Sequence, residues 1–154
     1  MHKILEKDLE IRRFKASDWN RLVLLLQNFN LRHDEETWDS FIYQGRGWTG
    51  GWIVLYKKQI VAGAFLRPAV LIEQWHTPYD FFMGGVFQTK PTTATPMLDH
   101  MFYDNPKHTI NFLCVPRSHA YNKAINRYKC VDIGMDRDEY YAKLTRFKLN
   151  GPHN

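Results

Sequence analysis

Residues 118–147 read SHAYNKAINRYKCVDIGMDRDEYYAKLTRF, and the hydrophobic period changes along them. Ser118 is suited to cap a helix. Behind it Ala120, Tyr121, Ala124, Ile125 and Tyr128 recur at the three-to-four spacing that gathers apolar groups on one face. After Lys129 the period becomes two. Residues 130–134 and 140–147 read as strands, the second with Tyr140, Ala142 and Leu144 on one side and Tyr141, Lys143 and Thr145 on the other. The glycine-started polar segment 134–138 is the turn between them. The segment therefore predicts helix, strand, strand.

Working back from there, residues 110–115 form a nearly continuous apolar run, which is the pattern of a central strand. Before it, Thr95-Pro96 opens a helix: Pro96 suits the first position, Asp99 lies near the positive end, and Met97, Leu98, Met101 and Phe102 are expected to face inward. Residues 81–87 make a further strand, and its Gly84-Gly85 pair suggests a bulge or a close approach by another backbone. Residues 52–56 and 60–66 are β-rich runs separated by Lys57-Lys58-Gln59, a hairpin spacing.

Nearer the start, residues 10–14 read as a strand, followed by Ser17 as a helix cap and by Trp19, Leu22, Val23, Leu26 and Phe29 at helical spacing. Asp34 is placed to cap a second helix carrying Trp38, Phe41 and Ile42. The stretch Gly45-Arg46-Gly47-Trp48-Thr49-Gly50-Gly51 then breaks it, as a connector or a substrate gate; it lacks the GxxxxGK pattern of a phosphate loop. The order is strand, two helices, three strands, helix, strand, helix, two strands. It predicts an α/β (α+β) mixed sheet with helices on both faces.

With 154 residues, 44% hydrophobic and 15% aromatic, the chain is expected to form one domain, residues 1–154, with a sizeable core. No run of about 18 apolar residues is present, and the opening MHKILEKDLEIRRF is charged; both point to a cytoplasmic protein without a membrane span. Cys114 and Cys130 lie in apolar strand-like contexts and are expected to be free buried thiols. The net charge of +5 comes from 21 basic against 16 acidic residues. The basic groups are scattered, so nucleic acid is the lesser expectation as partner, resting also on Trp48, Trp52 and Trp75 as stacking surfaces. No HExxH, CxxC or other metal-spaced cluster occurs among the seven histidines, and there is no GxSxG, so neither a catalytic metal nor a nucleophilic hydrolase is expected.

The element order resembles the GNAT superfamily of N-acetyltransferases over roughly residues 9–147. The resemblance rests on LEIRRFKASDWNRLVLLL, similar to that family's "IRxAxxxD" start, on the hairpin WIVLYKKQIVAGAFL, and on the ending VDIGMDRDEYYAKLTR. It implies a sheet with a splayed strand pair, acetyl-CoA as acyl donor and an amine as acceptor. The family's R/Q-x-x-G-x-G/A loop, whose amides hold the coenzyme A pyrophosphate, corresponds here to Gln88-Thr89-Lys90-Pro91-Thr92-Thr93-Ala94-Thr95-Pro96. Both glycines are missing, and the two prolines remove donors, which makes a poorer phosphate nest. Lys90, Thr92, Thr93, Ala94 and Thr95 are the cofactor-binding candidates that remain. By the same resemblance Gly85, Val86, Phe87 and Gln88 meet pantetheine and the acyl group, residues 111–115 form the cleft's other side, and Asn111 and Ser118 are further cofactor-binding candidates.

In the family's last helix, N-x-x-A-x-x-x-Y carries the tyrosine that protonates the departing thiolate. One register places Ser118 at the asparagine and Ile125 at the tyrosine. The other matches Ala124 and Tyr128, which makes Tyr128 the first candidate for the acid and Tyr121 the second. The base is sought in LIEQWHTPYDFF, where Glu73 and His76, with Asp80 beside them, sit among aromatic residues. The expected activity is transfer of an acetyl or related acyl group from acyl-CoA to an amine. The alternative is a degenerate GNAT-fold protein that modifies or binds nucleic acid, or acts as an inhibitory binding protein.

Overall fold

The computed structural model describes residues 4–28, 50–68, 81–103, 109–135 and 139–146. The expected second helix after Asp34, the loop 45–49 and the segment holding Glu73 and His76 lie outside them. Two compact units make up the chain: Met1–Arg67 with Gly84–Met101, and Pro68–Met83 with Phe102–Asn154.

The first unit contains β1 (Leu9–Arg13), α1 (Trp19–Asn28), β2 (Gly50–Tyr56), most of β3 (Gln59–Pro68), the later part of β4 (Phe81–Gln88) and most of α2 (Thr95–Tyr103). β1 runs antiparallel to β2, from Leu9↔Tyr56 to Arg13↔Trp52. β2 turns directly into β3 through Lys57 and Lys58. Both lysines are left-handed, at φ 50 and 66, as a two-residue turn matched to strand twist requires. β2 starts at Gly50, two residues earlier than its apolar run, because Gly50 and Gly51 already pair with Leu66 and Phe65. The core gathers Phe14, Leu22, Ile53, Leu55, Ile60 and Phe87, with Trp19 and Leu25 packed against it.

Gly63 makes one of these contacts possible. A Cβ built there would lie 2.6 Å from the Phe87 ring, so only a bare α-carbon lets that ring lie against β3.

Asp18, not Ser17, organises the entry to α1. Fully buried, its carboxylate accepts from both Arg12 Nη atoms at 2.8 Å, from Arg21 Nη2 at 2.7 Å and from the Lys15 amide at 2.8 Å. The Arg12 guanidinium holds that carboxyl far below its ordinary range. Arg21 Nη1 also donates to the Lys58 carbonyl at 3.0 Å, tying α1 to the hairpin turn.

The second unit contains the first residues of β4, then β5 (Ile110–Cys114), α3 (His119–Asn126), β6 (Val131–Met135) and β7 (Ala142–Arg146). β4 is parallel to β5 through the pairs Phe81↔Ile110 and Phe82↔Asn111. β7 pairs antiparallel with both β5 and β6. Within the first unit the hydrogen-bonded order is β1-β2-β3-β4, and within the second β4-β5-β7-β6.

The closing strands depart from simple alternation. β7 lies between two neighbours, and Ala142, Leu144, Thr145 and Arg146 are all buried, so both its faces are covered. β6 is the edge strand; Val131 and Met135 are exposed. Tyr140 precedes β7 and is exposed. In α3, Ala124 is buried but Ala120 faces solvent, and the helix ends before Tyr128. Lys129 takes the left-handed conformation at φ 59, and the Cys130 amide donates back to the Ala124 carbonyl at 3.0 Å, across the end of the helix.

Cys114 and Cys130 are both free and buried. Burial pushes the Cys130 thiol up to about 12. Arg146 is buried too; it donates through Nη1 to the Phe102 carbonyl, and its guanidinium carbon lies 5.6 Å from the Phe102 ring centroid.

Candidate functional site

The expected site residues fall in both units. In the first unit, β4 ends in Gly85, Val86, Phe87 and Gln88, with Val86 and Gln88 exposed and Phe87 buried. Beyond it the Thr89 amide donates to the Val61 carbonyl at 2.8 Å and extends the edge contact with β3. The chain then folds back on itself. The Thr93 amide donates to the Lys90 carbonyl at 3.4 Å, and the Thr95 amide to the Thr92 carbonyl at 3.3 Å. The Thr93 hydroxyl has two acceptors in reach, Lys90 O at 2.7 Å and Val61 O at 3.3 Å. A hydroxyl has one proton, and the shorter bond takes it.

The side chain of Gln88 completes the turn: its Oε1 accepts from the Ala94 amide at 3.1 Å. Thr93 and Ala94 are buried, while Lys90 and Thr92 are exposed. With glycine absent, Thr92 itself takes the left-handed conformation, at φ 64. The amides of Thr89, Thr93, Ala94 and Thr95 thus all donate within the protein, and Pro91 and Pro96 have none to offer. A site for a diphosphate needs such donors aimed outward. Four of the six amides at 89–95 are thereby withdrawn from such a group.

In the second unit, Ser118 caps α3 as the sequence predicts, its Oγ accepting from the Tyr121 amide at 3.1 Å and donating to the Val115 carbonyl at 2.7 Å. Cys114 Sγ lies 3.7 Å from the same Oγ, and burial raises that thiol's pKa. Asn111 is fully buried on β5. Its Oδ1 accepts from the Thr145 hydroxyl, and its Nδ2 meets no acceptor among the described residues.

The two tyrosine candidates have different surroundings. Tyr128 is 4% exposed, stacked on Phe102 and tilted against Tyr103. Tyr121 is half-buried, and its hydroxyl donates to Asp132 Oδ2 at 2.7 Å. That hydrogen bond to a carboxylate raises the Tyr121 pKa and keeps the phenol protonated. Asp132 is itself held, since its Oδ1 accepts from the Gly134 amide at 2.9 Å.

Asp132, the partner of the Tyr121 hydroxyl, was not singled out from the sequence. Its signal was an aspartate two residues before a glycine, the pattern of a side chain bonding its own backbone. Nothing local announces its contact with Tyr121. Gln88, a candidate for meeting pantetheine, has a side chain that closes the turn, and no local pattern announces that contact. Among the described residues there is no group of three or more His, Cys, Asp and Glu side chains placed to hold a metal. No helix of the described residues is long and apolar enough to cross a membrane.

Neither a protein-family model nor a curated protein matches the sequence. Solved structures do match the fold. A structure described as histone acetyltransferase HPA2 and related acetyltransferase, from Corynebacterium glutamicum, is similar at TM-score 0.65 and 12% identity, over 94% of this chain and 99% of that one. Arabidopsis thaliana Naa50, solved with the bisubstrate analogue CoA-Ac-MVNAL, is similar at TM-score 0.63 and 10% identity, over 90% and 97%. The Escherichia coli ribosomal-protein-S18-alanine N-acetyltransferase is similar at TM-score 0.63 and 10% identity, over 95% and 98%.

Proposed function

From the premise that this chain has the GNAT fold, we propose that it is an N-acyltransferase, passing an acetyl or related acyl group from a thioester such as acetyl-CoA to an amine. The observation that carries this reading is the fold likeness to N-acetyltransferases along nearly the whole length of each chain compared. The fold alone does not name a reaction, so the residues have to supply the chemistry.

Transfer forms a C–N bond and breaks a C–S bond. The amine's proton must go to a base, and the departing thiolate must receive one. We assign the second role to Tyr121. One register aligns residues 130–134 with the family's final strand, and ahead of β6 Lys129 is left-handed and Cys130 is buried. That register sets Ile125 at the family's tyrosine. Tyr121 lies one turn earlier on the same helix face, with its proton held by Asp132. Tyr128 is then a core side chain. Glu73 and His76 are the candidates for the base. Gly85, Val86, Phe87 and Gln88 in the first unit are the candidates for holding the donor.

The self-closed turn after β4 favours a second reading, a GNAT-fold protein that binds or inhibits a partner without acyl transfer. Calorimetric titration with acetyl-CoA and free coenzyme A separates the two. Saturable binding, with acetyl transfer to a panel of amines, is expected; absence of binding at millimolar concentration supports the second reading.

A further inference from the structure

A strand that ends in a turn and feeds a helix offers anions a set of backbone N–H groups, and a nucleotide diphosphate is held by such groups when they point outward. From Thr89 to Thr95, four of the six are already used. The Thr89 amide is committed to β3, the Thr93 and Thr95 amides to carbonyls three residues back, and the Ala94 amide to the Gln88 side chain.

The Gln88 bond differs from the others. Turn bonds between backbone atoms form in many loops. Here an exposed side chain six residues upstream reaches back to a buried residue's amide. The amide oxygen of Gln88 thus sits on a donor that an anion would need, at the first turn of α2. The buried Thr93 hydroxyl fastens the same segment through Lys90 O, 2.7 Å away, so admitting a diphosphate would mean dismantling the turn.

On the acyltransferase reading above, we propose that Gln88 shuts this turn against diphosphate and that the chain takes its acyl donor as a pantetheinyl thioester, read through the neutral arm without the nucleotide. Such an arm is carried either by coenzyme A or by a carrier polypeptide, and both present the same amides and thioester.

Calorimetry on the full chain tests this with free coenzyme A, pantetheine, adenosine 3′,5′-bisphosphate and a 4′-phosphopantetheinylated peptide. Coenzyme A and pantetheine are expected to bind within roughly threefold of each other, well under the cost of a lost charge-assisted hydrogen bond. The bisphosphate is expected not to displace pantetheine. Tighter binding of the peptide than of coenzyme A identifies a carrier as the source; equal binding identifies the free donor. Coenzyme A binding more than about tenfold tighter than pantetheine overturns the proposal while leaving the acyltransferase reading intact. Binding of none of the four overturns both.

Gln88→Ala frees the Ala94 amide. It should speed hydrogen exchange at Ala94 and tighten coenzyme A by about three- to tenfold with pantetheine unchanged, as one added hydrogen bond to a charged group implies. Gln88→Glu keeps an acceptor and should retain the slow exchange. Unchanged Ala94 exchange in Gln88→Ala, or an equal shift for both ligands, rejects the role given to Gln88.

Discussion

The ring of Tyr128 lies stacked on that of Phe102, centroids 4.5 Å apart and planes 25° from parallel. This contact decides what the two tyrosine variants should do. Tyr128→Phe keeps the ring and its buried area, so it should cost about 0.5–1.5 kcal/mol of stability, the worth of one hydrogen bond, with turnover unchanged. Tyr121→Phe removes the hydroxyl held by Asp132 and should lower turnover about ten- to a thousand-fold with the urea midpoint little moved. A turnover loss confined to Tyr128→Phe would transfer the acid's role to that residue.

Asp18→Asn should cost about 3 kcal/mol, because Arg12 and Arg21 would lose a carboxylate buried between them. The pH dependence has a definite sign. The folded pKa is depressed below the ordinary 3.8, so this contribution is present above that value and is lost as pH falls through the folded one. Urea midpoints measured from pH 5 downward should fall for the wild type and fall less for Asp18→Asn.

Gly63→Ala places a methyl group 2.6 Å from the Phe87 ring edge. Phe87 is packed into the core and has little room to yield, so the change should cost about 1–3 kcal/mol. Gly63→Ala combined with Phe87→Leu should recover part of that loss. Additive destabilisation in the double variant would mean the two positions do not meet.

Cys130 gives the opposite pH behaviour to Asp18. Its thiol is pushed up to about 12 in the folded chain by burial, while in the unfolded chain it ionises near its ordinary 9.0. Stability from keeping it neutral is therefore full below pH 9 and declines as pH rises toward 12. The difference in unfolding free energy between wild type and Cys130→Ala should shrink across that window, and a thiol reagent should leave Cys130 unmodified in the native state. Rapid labelling at pH 8 would show the site to be open.

Among the described residues, the kinds of element and their order were legible in the residues alone, because period and punctuation are local. Ser118, Pro96 and the Lys57-Lys58 turn mark boundaries that the folded chain keeps, and the two cysteines are buried as their apolar neighbours imply. The missing loop glycines were legible too, as a weak anion nest. What period does not contain is which neighbour covers each face. Alternation in β7 sorts its residues onto two sides without saying what covers either, and Ala142 and Leu144 on one and Thr145 on the other are all buried. Tyr121 and Tyr128 both fell within one apolar helical pattern. Only tertiary contacts with Phe102 and Asp132 make one ring core and leave the other with its hydroxyl on a carboxylate. Likewise the turn after β4 is fastened to the Val61 carbonyl, 28 residues away from Thr89, and closed by a side chain rather than by backbone. Hydrogen bonds over such separations depend on how the strands come together, and no local pattern records that.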